Sequence, residues 1–297
     1  MEHFFCAAAS RRNGESLYGT VARIRSWLLL EYPNAWRAHA IEDSRLLTEE
    51  NQRHLCQDFD RALLIRREHV RTGPLHCYRI DGDGVRLALL DRYEEVGPQL
   101  QFQQTAPELM YAVCTHGKHD KCCAKFGLPV FCAFRDVVGA RAWQCSHVGG
   151  DRFAANVVVF PQGLYYGHIQ PDEAGELVRR AERGEVWLER YRGRASFPRA
   201  GQIAEYFVRA ESGRMRIDEF EFAGAQRRDG ITEVRFTSPS DQSEHVVEFA
   251  TEPAALREFL TCGSTELCDV PQYRLVRYRV SPTTVRLPPG SPSGIRD

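Results

Sequence analysis

The sequence predicts an α/β protein closed by a small α+β unit, and three patterns carry that expectation. Short apolar runs alternate with amphipathic helical stretches over the first hundred residues. The same alternation begins again near Thr105. After about Phe197, runs with period-two patterning take over. A chain of 297 residues suits two or three domains.

In chain order, "SWLLLEY" is apolar enough for a buried strand. "DSRLLTEENQRHLCQDFD" opens with Asp and Ser and carries Leu46, Leu47, Leu55 and Phe59 on a loose helical stripe. "RALLIRR" is a second buried strand, and "LHCYRI" and "VRLALLDR" flank "DGDG", a hairpin turn signal. "ELMYAV" then reads as a strand ending at Cys114, followed by the polar loop "THGKHDK". "GLPVFCAFRDVVG" has a helical stripe of Val130, Phe131, Phe134, Val137 and Val138, with Pro129 near its expected start. "AWQCSHVGGDR" runs from a strand into a Gly–Gly loop, and "AANVVVF" and "GLYYGHI" are strands joined by "PQG". "PDEAGELVRRAERG" has the acidic start and basic, glycine-terminated end of a helix. "FPRAGQIAEYFVRAESG" is a further helix, followed by strands in "DEFEFAGAQ", "ITEVRFTS" and "EHVVEFAT". A short helix "EPAALREFLTC" and a last strand "QYRLVRYRV" complete the reading. The expected boundaries are 1–103, 104–196 and 197–287, with a disordered Pro/Gly/Ser tail at 288–297.

Composition narrows the class. The chain is 43% hydrophobic and 27% charged, the balance of a soluble globular protein. Its longest apolar run, Trp27–Pro33, is far short of the ~20 residues that span a bilayer. The first residues lack a basic region followed by a long apolar core, so the expected location is the cytoplasm, with no membrane association. Net charge is −1 with the signs interspersed, so no basic block exists to gather the phosphates of a nucleic acid.

Of ten cysteines, five fall between Cys114 and Cys145. In a reducing compartment they are not a disulfide framework. "CTHGKHDKCC" holds Cys114, Cys122 and Cys123, and "CSHVGGD" holds Cys145, His147 and Asp151. Each stretch lies at a strand-to-loop junction, where a rigid scaffold exposes side chains. Thiols from one loop with imidazole and carboxylate from another form a donor set for zinc. The nine-residue step from Cys114 to Cys123 is wider than common zinc-finger spacings and suits an iron–sulfur cluster. Cys114 or Cys123 beside His116 or His147 also fits a nucleophile–base pair. Buried packing cysteines with solvated histidines are the plain alternative.

These stretches, with "WQCSHVGGDRFAANVVVFPQGLYYG", "CAAASRRNGESLYGTVARIRSWLLLEYPNAW" and "EDSRL", resemble the sucrase/ferredoxin-like family, a branch of the thioredoxin-like ferredoxins. The resemblance covers roughly residues 1–210; beyond that, the chain is weakly similar to an extension of bacterial members. It implies tandem thioredoxin-like halves, the second carrying one [2Fe–2S] cluster. The family's ligand pattern, two cysteines nine positions apart and two histidines as H-x3-H, falls on Cys114, Cys123, His147 and Asp151. Asp151 departs from the second histidine, and oxygen is a harder donor than imidazole. Cys122 also departs, standing where a basic residue precedes the second cysteine. The fourth ligand is therefore open between Asp151, Cys122 and Cys145, as is loss of the cluster. His116 and His119 fall off the ligand positions, and Cys262 and Cys268 are expected to be structural.

The resemblance implies an electron carrier or redox sensor working with a reductase or acceptor protein, and not an enzyme in the strict sense. Sucrose hydrolysis needs two carboxylates facing a sugar across ~5–9 Å. The acids of Ile41–Ser44 and Ile217–Phe222 read instead as a helix start and a strand edge. A cofactor-free binding scaffold and a zinc-stabilised fold are the alternatives.

Overall fold

The computed structural model describes residues 4–67, 73–82, 84–104 and 108–282. After a short helix α1 (Cys6–Arg12), the chain forms β1 (Ser26–Glu31), α2 (Glu49–Gln57) and β2 (Arg61–Arg66). The antiparallel strands β3 (Leu75–Asp81), β4 (Gly84–Leu90) and β5 (Gln103–Gln104) follow. The order then repeats: β6 (Met110–Cys114), α3 (Lys121–Val138), β7 (Ala142–Cys145), β8 (Val157–Phe160) and β9 (Leu164–Tyr166). Helix α4 (Ala174–Glu182) and strand β10 (Tyr191–Arg194) close this second unit.

One sheet runs through both units, in the order β10-β9-β8-β6-β7-β2-β1-β3-β4-β5. In each unit the strands flanking the helix pair in parallel, β1 with β2 and β6 with β7. In each, the next strand returns antiparallel beside the first, β3 on β1 and β8 on β6. The units join at β2 and β7, antiparallel, through Ile65↔Cys145 and Arg66↔Gln144. Parallel central strands bury both faces, which explains their continuous apolar runs. Leu28 and Leu30 pack with Leu55 of α2, while Trp27 and Leu29 face the opposite side. In β6, Tyr111 and Val113 pack under α3, while Met110, Ala112 and Cys114 join Trp27 and Leu29 on the shared face.

Helix α5 (Arg199–Ser212) lies on a four-stranded antiparallel sheet, β11 (Glu221–Arg228), β12 (Ile231–Ser238), β13 (Ser243–Glu258) and β14 (Cys268–Pro282). Ile203, Ala204, Phe207 and Val208 meet Phe220, Val234, Phe236, Val247 and Phe249 there. Behind α5 a buried ionic network ties it to β10. Glu205 accepts hydrogen bonds from Tyr191 (2.7 Å), Arg194 (3.1 Å) and Arg209 (2.8 Å).

Two expectations are corrected and one strand is added. Helix α3 starts at Lys121, eight residues before Pro129, because Asp120 caps it by accepting from the Cys122 amide at 2.7 Å. Much of Glu252–Cys262 is strand: β13 continues to Glu258, held by the pairs Leu256↔Val270 and Glu258↔Cys268. Strand pairing there overrides the helical propensity of Ala, Leu and Glu. Strand β10, which carries the buried Arg192, is the added strand, and the short run Tyr191–Arg194 has no apolar alternation to announce it. The tail at 288–297 lies outside the described residues.

Candidate metal centre

Cys114 ends β6 and is buried beside its parallel neighbour Cys145. The loop His116–Asp120 leads to α3, whose first turn carries Cys122 and Cys123. Gly127 lets α3 approach β6: a Cβ there would lie 2.1 Å from the Cys114 carbonyl oxygen. That close approach sets the first turn of α3 over the end of β6.

The second loop leaves β7 and is fixed at both ends. Ser146 donates its amide to Leu64 (2.8 Å) and accepts from the Leu64 amide (3.0 Å), tying the loop to β2. At the far end, Gly149 and Gly150 take left-handed φ values of 91° and 79°, which a residue with a Cβ rarely adopts. Arg192, fully buried, donates to the Gly149 carbonyl (2.9 Å) and Asn156 Oδ1 (2.8 Å), and to Thr20. Asn156 in turn donates to the Gly150 carbonyl (2.8 Å). The loop between these clamps presents His147 and Asp151.

Ligand atoms of Cys114, Cys123 and His147 lie within 4.8 Å of one another. Asp151 Oδ1 accepts from Cys123 Sγ at 3.2 Å and lies 3.1 Å from His147 Nδ1. The latter approach is out of line, so His147 Nδ1 is buried in an ion pair with no directed hydrogen bond. His119 stacks on His147 with ring centroids 3.7 Å apart, its Nε2 3.9 Å from Asp151 Oδ2. His116 is spoken for at both nitrogens. Nε2 meets the Arg37 carbonyl at 2.6 Å, and Nδ1 accepts the His147 amide at 3.3 Å. That pairing requires the neutral ring with its proton on Nε2. It makes His116 a support for the His147 backbone and not a donor to a metal.

The electrostatics follow from this packing. A hydrogen bond from Cys123 lowers the Cys114 thiol well below its ordinary value despite burial, and His147 adds to the effect. The same contact raises Cys123, so the negative charge of the pair lies on Cys114 while Cys123 keeps the proton it directs at Asp151. Burial disfavours charge on His147, but Asp151 and Cys114 outweigh it and raise its pKa to about 9. Burial disfavours charge on Asp151 too, and His147 keeps it ionised. A thiol with a lowered pKa, an imidazole with a raised one and a carboxylate with a lowered one are thus packed together, and a cation bound there would displace the Cys123 proton and one ring proton of His147. A cavity of about 190 Å³ opens onto the group, lined by His116, His119, Ser146 and His147 on one side and residues 38–42 on the other.

Two sequence candidates lie apart from this group. Cys122 Sγ turns away from Cys123 towards Cys262 (3.1 Å) and Cys6 (3.6 Å). Cys145 is buried on the shared sheet face and belongs to none of the donor groups among the described residues. His119, off the family's ligand positions, is instead brought against Asp151 and His147. Arg192 and Asn156 carry no signal in the sequence, since a buried arginine facing carbonyls follows no motif.

A family model described as sucrase/ferredoxin-like matches residues 17–193, ending within β10. "Altered inheritance of mitochondria protein 32" of Meyerozyma guilliermondii is 27% identical over 113 residues, 34% of this chain and 40% of that protein. The protein of the same name from Saccharomyces kudriavzevii is 31% identical over 95 residues, 27% of this chain and 30% of that protein. The matches therefore span less than half of these relatives. Among solved structures, a thioredoxin-like [2Fe–2S] ferredoxin from Aquifex aeolicus gives a TM-score of 0.27 at 20% identity, covering 31% of this chain and 97% of that one. A cysteine-to-serine variant of that ferredoxin gives 0.25, covering 28% of this chain.

Proposed function

Because the chain belongs to the sucrase/ferredoxin-like family, we propose that it is a one-electron carrier or redox sensor holding a single [2Fe–2S] cluster. The observation that carries the reading is the convergence of two buried thiols with a half-buried imidazole whose buried Nδ1 lacks a directed partner. Cys114 and Cys123 would supply the thiolates, His147 the imidazole, and Asp151 the fourth donor, with His119 stacked beside it. Two soft donors and one borderline donor suit iron. When bound, the cluster supplies one-electron chemistry.

The protein's own part is to bind, orient and shield. The sheet and α3 keep water from the two sulfurs, while the cavity leaves the imidazole side open to a docking partner. With Nδ1 turned to a bound metal, the second nitrogen of His147 would hold a proton, which would couple electron uptake to pH. We read the two βαβ units as tandem thioredoxin-like halves spanning 1–103 and 104–196, with 197–287 as a separate α+β unit. A cytoplasmic location and a reductase or acceptor protein as partner belong to the same proposal.

The compactness of the donor group favours a second reading, a single zinc ion held by Cys114, Cys123, His147 and Asp151. Anaerobic purification with a visible spectrum and iron and sulfide analysis separates the two. Red-brown protein with two iron and two sulfide per chain supports the ferredoxin reading. Colourless protein without iron, even after reconstitution, overturns it in favour of zinc or a cofactor-free scaffold.

A further inference from the structure

Three cysteines from distant parts of the chain meet beside α3. Cys6 opens α1, Cys122 sits in the first turn of α3, and Cys262 lies in the turn after β13. Their sulfurs form a closed triangle with edges of 3.1 Å (Cys122–Cys262), 3.6 Å (Cys6–Cys122) and 3.6 Å (Cys6–Cys262). Asp120 completes the group, with a carboxylate oxygen within 4.8 Å of the sulfurs. We propose that Cys6, Cys122 and Cys262 hold one zinc ion as thiolates, with Asp120 as the fourth donor. This inference does not rest on the cluster reading at Cys114.

The geometry favours a metal over packing or a disulfide. Zinc–sulfur bonds of ~2.3 Å in a tetrahedron place the sulfurs ~3.8 Å apart, so the observed triangle needs to open by well under 1 Å. A disulfide would use two of the three sulfurs and leave the third without a role. Backbone amides point at two of them, Ala7 to Cys122 Sγ and Cys6 to Cys262 Sγ, both at 3.5 Å. Amide hydrogen bonds to sulfur stabilise a thiolate, and the first turn of an eighteen-residue helix does the same for Cys122. Asp120 already aligns the site, accepting the amides of Cys122 (2.7 Å) and Cys262 (2.6 Å) on separate oxygens. Each oxygen retains a lone pair for a cation.

Cys6 and Cys122 are buried while Cys262 is partly open, which gives the ion a way in. Binding displaces the three thiol protons to solvent, with no change of oxidation state. The ion would staple α1, the start of α3 and the end of β13, linking the large sheet to the C-terminal one.

The test compares zinc per chain, by mass spectrometry of the reduced full chain, in the wild type and in Cys6→Ser/Cys262→Ser. The expected result is a loss of one zinc equivalent per chain, with iron content unchanged. The same zinc should persist in Cys114→Ser/Cys123→Ser, which separates this site from the first. Should the double variant fail to fold, Cys262→Ser alone and cobalt substitution of the wild type serve instead. Cobalt should then give thiolate charge-transfer bands that Cys262→Ser weakens by about a third. Equal zinc in wild type and variant, or a wild-type chain that takes up none from one equivalent of zinc after reduction, overturns the proposal. So does a Cys122–Cys262 disulfide in metal-free protein purified under reducing conditions.

Discussion

Gly127 offers the sharpest test of how the fold sets the donor geometry. A Cβ at this position would lie 2.1 Å from the Cys114 carbonyl oxygen and 3.1 Å from its carbonyl carbon. Both are backbone atoms of a strand inside a ten-stranded sheet, so the helix must yield. Relieving the contact requires α3 to retreat by at least about 1 Å, since non-bonded carbon does not approach oxygen within ~3 Å. Cys123 lies four residues earlier on the same face of α3 and moves with it. Metal–ligand distances tolerate only ~0.2 Å, so a displacement of that size takes Cys123 out of reach of an ion shared with Cys114. Overpacking of this kind costs about 1–3 kcal/mol, which leaves a chain of this size folded. Gly127→Ala should therefore lower the urea midpoint modestly and remove most of the metal proposed to bind at Cys114. Leu128→Ala, at the exposed neighbour, should change neither. A folded Gly127→Ala protein with wild-type metal content would refute the view that close helix–strand contact sets the thiol pair.

Three further outcomes are expected. His147→Cys replaces imidazole by thiolate and should lower the reduction potential by on the order of 100 mV while flattening its pH dependence; a wild-type potential independent of pH counts against His147 as a ligand. Glu205→Gln leaves buried Arg209 and mostly buried Arg194 without their shared counter-charge and should cost about 3–5 kcal/mol in urea unfolding; a loss under about 1 kcal/mol would mean that the carbonyls of Arg214 and Arg216 suffice for Arg209. His168 is held neutral with its pKa lowered to about 4, by burial first and by the charges of Arg11, Arg192 and Arg190. The unfolded chain takes up that proton near 6.5, so stability is full above about pH 6.5 and falls as pH drops towards 4. The loss at pH 5 is about 2 kcal/mol. Urea melts at pH 7.5 and 5 should show a shallower pH slope in His168→Asn, and equal slopes would mean that His168 is not the group responsible.

What the sequence makes legible here is local, and what it hides is contact between distant segments. The strands of both units are readable because buried parallel strands are continuous apolar runs, and Cys114, Cys123 and His147 are readable because they sit where such runs break. The start of α3 is hidden because Pro129 imitates a first-turn proline, whereas the operative signal is Asp120 two residues before Cys122. The fate of Glu252–Cys262 is decided by β14, which has no local trace in that segment. Cys122 shows the limit most clearly. Its neighbour Cys123 faces the sheet, and helical geometry turns successive side chains ~100° apart, so Cys122 must face elsewhere. What it faces, Cys6 and Cys262, lies 116 and 140 residues away. No spacing rule reaches that far. The adjacent thiols thus divide between two environments. Cys123 answers to Cys114, through a contact fixed by Gly127. Cys122 answers to Cys6 and Cys262, so replacing one of the adjacent cysteines should leave whatever the other binds unchanged.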